Sequence, residues 1–302
     1  MSAPSRSTFV TLNGLRFRYL EYPGERPAEA YRPEPVEGPP IVLLHGLASN
    51  ALWWVLVGPL LAKQFRVVAL DQRGHGESAA PDTGYDFATV VGDLAGFVDE
   101  LSLERPVVVG HSWGGNVALE YAATHPDAVA GLVLVDGGFM EPQARAGATW
   151  ERAERELAPP DLTHLTPEQL VAGAKQWELG SIWSNEIETA LLGNFEVVEG
   201  GTIRPHLSRA NHMQVVRALW DQRPSQLYEH VRCPVLFALA ERSGGGRTRD
   251  WMEMKREAIA RAERSLFDCR VLWMPDTIHD IPLHRPNELA QAIEEFAAGL
   301  TA

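Results

Sequence analysis

A serine between glycines is the feature of this sequence that most directly suggests chemistry. Residues 110–115 read Gly-His-Ser-Trp-Gly-Gly, directly after an apolar run and directly before a helical pattern. In a strand–turn–helix of this kind the glycines permit a very tight turn, which exposes the Ser112 hydroxyl at the end of the strand. The following helix points its N-terminus, where negative charge is favoured, at the same place. The pattern therefore predicts that Ser112 is a nucleophile, against the alternative of an ordinary strand-to-helix turn.

The elements around this serine alternate between short apolar runs and helical patterns. Runs rich in Val and Leu and closed by Gly, Asp or Pro are typical of strands buried on both faces of a parallel sheet. Their alternation with helices predicts an α/β fold, a mostly parallel central sheet of about eight strands flanked by helices. Residues 9–12 and 15–22, joined at Asn13-Gly14, are expected to form an antiparallel hairpin at the sheet edge. The apolar runs lie at residues 41–44, 67–70, 107–109, 132–135, 235–239 and 271–274.

Two segments interrupt this alternation. Residues 24–40 are rich in proline and acidic residues, and we interpret them as an exposed loop. Residues 141–229 show helical patterns and no buried-strand run. We expect them to form a helical cap, inserted after the sixth strand into a core domain made of residues 1–140 and 230–302. Most of the cap tryptophans should serve packing, with one or two lining a pocket; they are Trp150, Trp177, Trp183 and Trp220.

Composition excludes several classes of partner. With 27 Lys and Arg against 40 Asp and Glu the net charge is −13, which argues against a nucleic-acid or anionic-membrane partner because both need a basic face. The N-terminus lacks the apolar segment of a signal peptide, and the longest apolar stretch, residues 51–62, is too short to span a bilayer. Cys233 and Cys269 are interpreted as two buried thiols in a reducing compartment, with a local bridge as the alternative. The predicted location is cytoplasmic.

Several motifs, taken in order along the chain, resemble those of the α/β-hydrolase superfamily. They are residues 11–21 (TLNGLRFRYLE), His45-Gly46, residues 71–78 (DQRGHGES), the Ser112 turn and the stretch around His279. The resemblance runs through nearly the whole chain outside the expected cap and the proline-rich loop, and it implies the α/β-hydrolase fold. Haloalkane dehalogenases and epoxide hydrolases resemble the same scaffold but use an aspartate nucleophile, so a serine at position 112 argues against both.

The resemblance also implies roles for three further positions. His45-Gly46-Leu47 follows the first buried strand, where the family places a second oxyanion donor, so the backbone N–H groups of Leu47 and Trp113 are the expected oxyanion hole. Because the triad of this fold runs Ser, acid, His along the chain, the base is expected after the last strand, where His279 lies. His284 is a weaker competitor for the base, since it opens the final helical region. His45 itself, and the turn with Asp71, Arg73 and His75, are interpreted as structural.

The acid departs from the family pattern. Relatives commonly carry Gly-Glu-x-Asp after the strand at 235–239, whereas this chain reads Ala240-Glu241-Arg242-Ser243, with a serine where the aspartate is expected. Asp136, which follows the strand at 132–135 and precedes two glycines, is the favoured acid, and Glu241 is the alternative. An acid at either place would fix the tautomer of the base and stabilise the imidazolium. Capping of the chain leaving the strand is the competing role for Asp136.

These residues predict a serine hydrolase that cleaves a carboxylic ester, thioester or lactone through an acyl-enzyme. A C–C bond hydrolase or perhydrolase on the same residues, or a binding protein with a weakly active hydrolase pocket, stay open. The expected ligand is a small apolar ester-like molecule, and no cofactor or metal is implied. Fold alone does not define the substrate. The residues expected to line the substrate pocket are His45, Gly46, Trp53, Trp54 and Trp183.

Overall fold

A computed structural model describes residues 5–24, 38–144 and 147–300 of the chain. Eight strands form one sheet in the order β1-β2-β4-β3-β5-β6-β9-β10, and within it only β2 runs against its neighbours. The predicted α/β class and strand number are confirmed. The strands are β1 (Arg6–Leu12), β2 (Leu15–Tyr22), β3 (Ile41–Leu44), β4 (Val67–Leu70), β5 (Val107–His111), β6 (Gly131–Val135), β7 (Phe195–Val197), β8 (Ile203–Pro205), β9 (Val235–Glu241) and β10 (Cys269–Pro275).

Eleven helices accompany these strands in the described part of the chain. The helices are α1 (Gly58–Leu61), α2 (Phe87–Glu100), α3 (Trp113–Thr124), α4 (Trp150–Leu157), α5 (Pro167–Ala174), α6 (Asn185–Leu192), α7 (Arg209–Asp221), α8 (Pro224–Leu227), α9 (Arg247–Ser265), α10 (Ile281–His284) and α11 (Pro286–Ala298).

The central strands are buried on both faces, as their continuous apolar runs predict. Successive residues of a strand point to opposite faces, so Val42 and Leu44 of β3 join one core cluster while Ile41 and Leu43 join another. The first cluster includes apolar side chains of α2, α3 and α9, and the second includes those of α1 and α11. Helices on both faces satisfy the parallel sheet, because neither face is left in water.

The hairpin at the sheet edge is confirmed, with β1 paired to β2 in antiparallel register from Arg6↔Glu21 to Leu12↔Leu15. Asn13 and Gly14 both have positive φ angles, 52° and 78°, which matches the two-residue turn that twists with the strands. The proline-rich segment interpreted as a loop, residues 24–40, lies mostly outside the described residues.

Residues 141–229 contain helices α4 to α8, in agreement with the expected helical character. They also contain a short antiparallel hairpin, β7 with β8, which the sequence analysis did not predict. This segment lies against the core through α6: Ile187 and Ala190 pack with Trp53 and Leu283, and the Asn50 side-chain amide donates to the Ala190 carbonyl at 2.8 Å. Among the described helices, none is long and apolar enough to cross a membrane.

Cys233 and Cys269 are free thiols, so the alternative of a local bridge is wrong. Burial raises the pKa of the Cys233 thiol to about 11 and that of Cys269 to about 12. Both therefore stay protonated at neutral pH, and neither is a reactive thiolate.

Candidate active site

Ser112 lies on a strained turn at the carboxyl end of β5, directly before α3. Its φ of 52° and ψ of −120° are unusual for a residue with a side chain. The turn is held by the Ser112 N–H, which donates to the Val135 carbonyl at 2.9 Å. A Cβ on Gly110 would collide with the Gly114 carbonyl, so this close approach of strand and helix requires the glycine. The geometry agrees with the strand–turn–helix context that the sequence predicts.

The turn after β3 approaches Ser112 closely. A Cβ on Gly46 would lie 3.2 Å from the Ser112 Cβ, so the missing side chain permits the contact. Leu47 and Trp113, whose backbone N–H groups are the predicted oxyanion donors, line the same cavity as Ser112. Ala48, which follows Leu47, has a positive φ of 55°, so neighbouring groups must stabilise this backbone conformation.

That support comes from the motif at 71–78. The Ala48 N–H donates to His75 Nε2 at 3.2 Å, and the Gln72 N–H donates to His45 Nε2 at 3.0 Å. Each imidazole accepts at Nε2, so each is neutral and carries its proton on Nδ1, which faces a backbone carbonyl in both cases. Burial lowers the pKa of His45 to about 4 and that of His75 well below its usual range. Both histidines are thus built as neutral hydrogen-bonding groups.

Asp71 and Arg73 have contacts that fit the predicted structural role. The Asp71 carboxylate is fully buried, accepts from the backbone N–H groups of Ala51 at 2.6 Å and Glu77 at 2.9 Å, and pairs with Arg18 at 3.1 Å. Arg73 forms a two-pronged buried pair with Asp93, at 2.7 and 2.9 Å. Neither residue is among those that line the described cavity.

Asp136 and His279 are hydrogen-bonded to each other. His279 Nδ1 lies 2.7 Å from Asp136 Oδ2, although the two residues are 143 positions apart in the chain. Asp136 directly follows β6 in a left-handed conformation, with a φ of 47°, and its N–H donates to the Ala238 carbonyl of β9. Glu241, the alternative acid, instead accepts from the Arg256 guanidinium at 2.6 Å. Of the two candidate acids, Asp136 is the one in contact with His279.

Charge and burial shift the pKa values of Asp136 and His279 in opposite directions. Burial alone would raise the pKa of Asp136, but the hydrogen bond from His279 and the positive charges of His279 and Lys255 outweigh it, so the pKa is lowered. Burial would lower the pKa of His279, but the hydrogen bond to Asp136 and its charge raise it above the usual value. Half of the His279 side chain is accessible, because the ring borders the cavity.

The loop that carries His279 is fastened on both sides. His111 Nε2 lies 2.9 Å from the His279 carbonyl, and the Trp53 indole N–H donates to Asp280 Oδ1 at 3.1 Å. His284, the competitor for the base, accepts from the Ile278 N–H at 3.2 Å. Burial lowers the pKa of His111 to about 4, so its ring is neutral beside that of His279.

Ser112, Asp136 and His279 open onto one cavity of about 770 Å³, a size typical of small-molecule sites. Its walls come from four helices, α3, α4, α7 and α9, together with the strand ends. Apart from the catalytic candidates its lining is mostly apolar. The apolar side chains that line it include Leu47, Trp113, Phe139, Met140, Ala153, Leu157, Leu219, Trp220, Trp251 and Met252.

The residues predicted to line the substrate pocket lie elsewhere, which corrects that expectation. Trp54 is fully buried in the core, Trp53 packs with Ile187 and Leu283, and the Trp183 indole donates to Glu188. His45 is fully buried beside the turn after β3, where the oxyanion donor Leu47 is predicted, and neither His45 nor Gly46 is among the described residues lining the cavity. Trp53 and Trp54 were predicted to line the pocket because they lie close in sequence to Leu47. They belong instead to a short 3-10 helix, Ala51–Trp54, in which both indoles are buried.

Lys255, which the sequence analysis missed, is the main addition to the site. It lies on α9, its side chain is 1% exposed, and its ammonium group contacts Asp136 Oδ1. The signal was present, since Met252, Lys255, Ile259 and Ala262 share helical spacing and are all buried. A lysine on the apolar face of a helix indicates a buried partner.

Among the described residues, no group of three His, Cys, Asp or Glu side chains is arranged to hold a metal ion.

The chain belongs to the α/β-hydrolase fold family, whose family model matches residues 39–197. The resemblance stated from the motifs is therefore confirmed. A curated relative, 2-(acetamidomethylene)succinate hydrolase of Mesorhizobium japonicum, is 29% identical over 262 residues, which is 86% of this chain and 88% of that protein. A crystal structure of E-2-(acetamidomethylene)succinate hydrolase matches with a TM-score of 0.76 and 25% identity, covering 97% of this chain and 98% of that one.

Other relatives match over a shorter stretch. Epoxide hydrolase B of Mycobacterium tuberculosis is 42% identical over 115 residues, which is 37% of this chain and only 32% of that protein. The relatives described here are hydrolases by name, and their names give different substrates. The comparisons thus establish a hydrolase family and leave the bond to be argued from the site.

Proposed function

We propose that this chain is a serine hydrolase that cleaves a carboxylic ester, thioester or lactone through an acyl-enzyme. The observation that carries the proposal is the 2.7 Å hydrogen bond between Asp136 and His279 beside a cavity that Ser112 also lines. Nucleophile, acid and base follow one another along the chain in the order expected for this fold. The same family contains epoxide hydrolases, but an aspartate nucleophile would have to stand where this chain has Ser112.

In the proposed reaction, Ser112 Oγ attacks the carbonyl carbon while His279 Nε2 accepts its proton. Asp136 holds the Nδ1–H tautomer of His279 and stabilises the imidazolium that forms. The backbone N–H groups of Leu47 and Trp113 would stabilise the oxyanion, and one such donor typically contributes ~10²–10³ in rate. The alcohol leaves with the proton from His279, and a water activated by the same histidine then releases the acid.

The chemistry of the cavity walls favours a neutral, apolar substrate. Two arginines, Arg152 and Arg242, line the cavity, but each is paired with a glutamate: Arg152 with Glu156 at 2.8 Å, and Arg242 with Glu178. Because their charges are compensated, these arginines offer no net positive charge to an acidic group. We therefore propose a small apolar ester as the substrate.

A second candidate is hydrolysis of an acidic substrate, as the name of the Mesorhizobium relative describes. The match over most of both chains supports it. It would require Arg152 or Arg242 to exchange its glutamate for a substrate carboxylate, which exposed pairs allow at a small energetic cost. C–C bond hydrolysis and perhydrolysis on the same residues, and ligand binding with weak turnover, are further alternatives.

The domain division and the location are part of the proposal. We propose that residues 1–140 and 230–302 form the core and residues 141–229 a cap, which is supported by the cavity lining that α4 and α7 contribute. The proposed location is cytoplasmic, in line with two free thiols.

The experiment is steady-state hydrolysis of p-nitrophenyl esters from acetate to dodecanoate, with Ser112→Ala as the control. The proposal expects turnover that peaks at one chain length and disappears in the variant. Turnover of 2-(acetamidomethylene)succinate without turnover of any neutral ester would favour the acidic substrate. Absence of turnover on every ester, together with no labelling of Ser112 by a fluorophosphonate, would favour the binding protein.

A further inference from the structure

A lysine is buried directly behind the acid of the site. Lys255 comes from the middle of α9, and its ammonium group contacts both Asp136 Oδ1 and, at 2.5 Å, the Ala240 carbonyl oxygen. The rings of Phe139 and Trp273 lie 5.7 and 5.6 Å from the ammonium nitrogen, within the range of cation–π attraction. Burying a lysine is unfavourable unless the charge is paired, so this arrangement calls for an explanation.

The contacts of Asp136 divide between its two oxygens. Oδ1 accepts from the Ala240 N–H at 3.1 Å and from Lys255, whereas Oδ2 faces His279 Nδ1. With Oδ1 held by two donors, the carboxylate plane is defined and Oδ2 is left for His279. Because Asp136 adopts a left-handed backbone conformation, its orientation depends on such contacts more than that of an ordinary strand residue.

Lys255 also acts on the charge of His279. The groups that face His279 are Asp136 from β6, Asp280 from its own loop, Lys255 from α9, and the neutral ring of His111 from β5. The two carboxylates raise the pKa of His279, and the Lys255 charge lowers it. Burial lowers the pKa of Lys255, whereas the charge of Asp136, its hydrogen bond and the charge of Glu241 at the end of β9 favour the ammonium form.

We propose that Lys255 is the positioning residue of this site: it orients Asp136 toward His279 and opposes protonation of His279, so that the base functions at a lower pH than it would without the lysine. This inference rests on the proposed function. Lys255 does not touch the reacting atoms, since its side chain is almost fully buried and its ammonium group is occupied by Asp136 and Ala240.

Three variants test the proposal. Lys255→Gln keeps a hydrogen-bond donor toward Asp136 but removes the charge, and Lys255→Met removes both while keeping an unbranched apolar stem. Lys175→Gln is the matched control, because Lys175 is an exposed lysine of the helical segment that pairs with Glu188. Thermal melts and circular dichroism identify which variants are folded, and Lys255→Gln covers the case in which Lys255→Met is not.

The first measurement is the imidazole titration of His279 by NMR in histidine-labelled protein, assigned with His279→Gln. We expect the His279 pKa to rise by about one to two units in Lys255→Gln and Lys255→Met, as removal of a nearby like charge produces. The second measurement is the pH profile of kcat/KM, whose acid limb should move upward by the same amount, so that activity lost at pH ~7 returns at pH ~9. Lys175→Gln should leave both unchanged.

The outcomes separate this inference from the proposed function. An unchanged His279 titration in folded Lys255→Gln would overturn the inference while leaving ester hydrolysis untouched. A uniform loss of activity at every pH, with no shift of the limb, would also overturn it and leave a purely structural role for Lys255. A shifted titration without hydrolysis of any ester would support the inference about Lys255 and Asp136 while the proposed function fails.

Discussion

The strand-end site and the helical cavity wall are built by different means. Ser112, Asp136 and the oxyanion turn are placed by backbone: each follows a buried strand, and the Ser112 and Asp136 conformations are secured by main-chain hydrogen bonds to neighbouring strands. The helical cavity wall consists of the lining side chains that α4, α7 and α9 contribute. Two of these helices, α4 and α9, carry many exposed residues. We therefore expect few substitutions to be tolerated at the strand ends and many to be tolerated in the cavity wall.

This difference separates chemistry from selectivity. Chemistry needs atoms held within a fraction of an ångström, which adjacent parallel strands provide. Selectivity needs a surface of the right shape, which helices lying over the sheet can change without disturbing the strand ends. Substitutions at the strand ends should therefore abolish turnover of every substrate, and substitutions in the wall should alter the preference among substrates.

The largest effect is expected at the acid. Asp136→Asn removes the charge that stabilises the His279 imidazolium and disturbs the tautomer, so kcat should fall about 10³–10⁴-fold. Glu241→Gln, the matched change at the competing carboxylate, should stay within a few-fold of the parent. Steady-state kinetics on the best p-nitrophenyl ester measure both, and the reverse pattern would transfer the role of acid to Glu241.

The next effect concerns the support of the oxyanion turn. His75→Leu removes the acceptor of the Ala48 N–H and should lower kcat by roughly 10- to 100-fold with little change in KM, since a displaced oxyanion donor acts in the transition state. His164→Leu, at an exposed position of the helical segment, serves as the control. A rise in KM without a fall in kcat would show that the turn acts on substrate binding instead.

The pH dependence of the parent protein follows from the raised pKa of His279. The base must be neutral, so kcat/KM should fall about tenfold for each pH unit below that pKa, and the midpoint should lie above the ordinary value of 6.5. His45 and His75 have lowered pKa values, so they should not contribute above pH ~5. An acid limb centred below 6.5 would contradict the Asp136–His279 pairing.

The smallest effect is expected in the wall. Trp251→Ala should reduce kcat/KM for long-chain esters by about tenfold or less, through lost apolar contact, while acetate hydrolysis stays nearly unchanged. Trp177→Ala is the control, because Trp177 is exposed and is not among the described residues lining the cavity. Equal losses for acetate and dodecanoate would mean that the wall and the strand ends are not separable.

The strand ends could be predicted from the sequence better than the helical cavity wall. The strands and the turn at Ser112 could be located because apolar runs and glycines are local signals, whereas the candidates Asp136 and His279 followed from the chain order that the resemblance implies. Asp136 is favoured over Glu241 from the sequence by its place after β6 and before two glycines, but only the structure shows which of the two carboxylates contacts His279.

The cavity wall could not be predicted in this way. Trp53 and Trp54 lie close in sequence to Leu47, but both are packed in hydrophobic clusters. Trp220 and Trp251 line the cavity instead, although their helices are distant in sequence. Which face of a helix meets a cavity depends on long-range packing. Lys255 is the instructive exception, because a lysine on the buried face of α9 is a local anomaly that sequence inspection can find.

Covalent labelling of Ser112 tests most directly whether this serine is the nucleophile. The protein is treated with a fluorophosphonate and analysed by intact-mass and peptide mass spectrometry, alongside Ser112→Ala and Asp136→Asn. We expect one adduct per chain, on the peptide containing Ser112, which is absent in Ser112→Ala and forms much more slowly in Asp136→Asn. Failure of the parent protein to react, or an adduct that persists in Ser112→Ala, would contradict the assignment of Ser112 as an activated nucleophile.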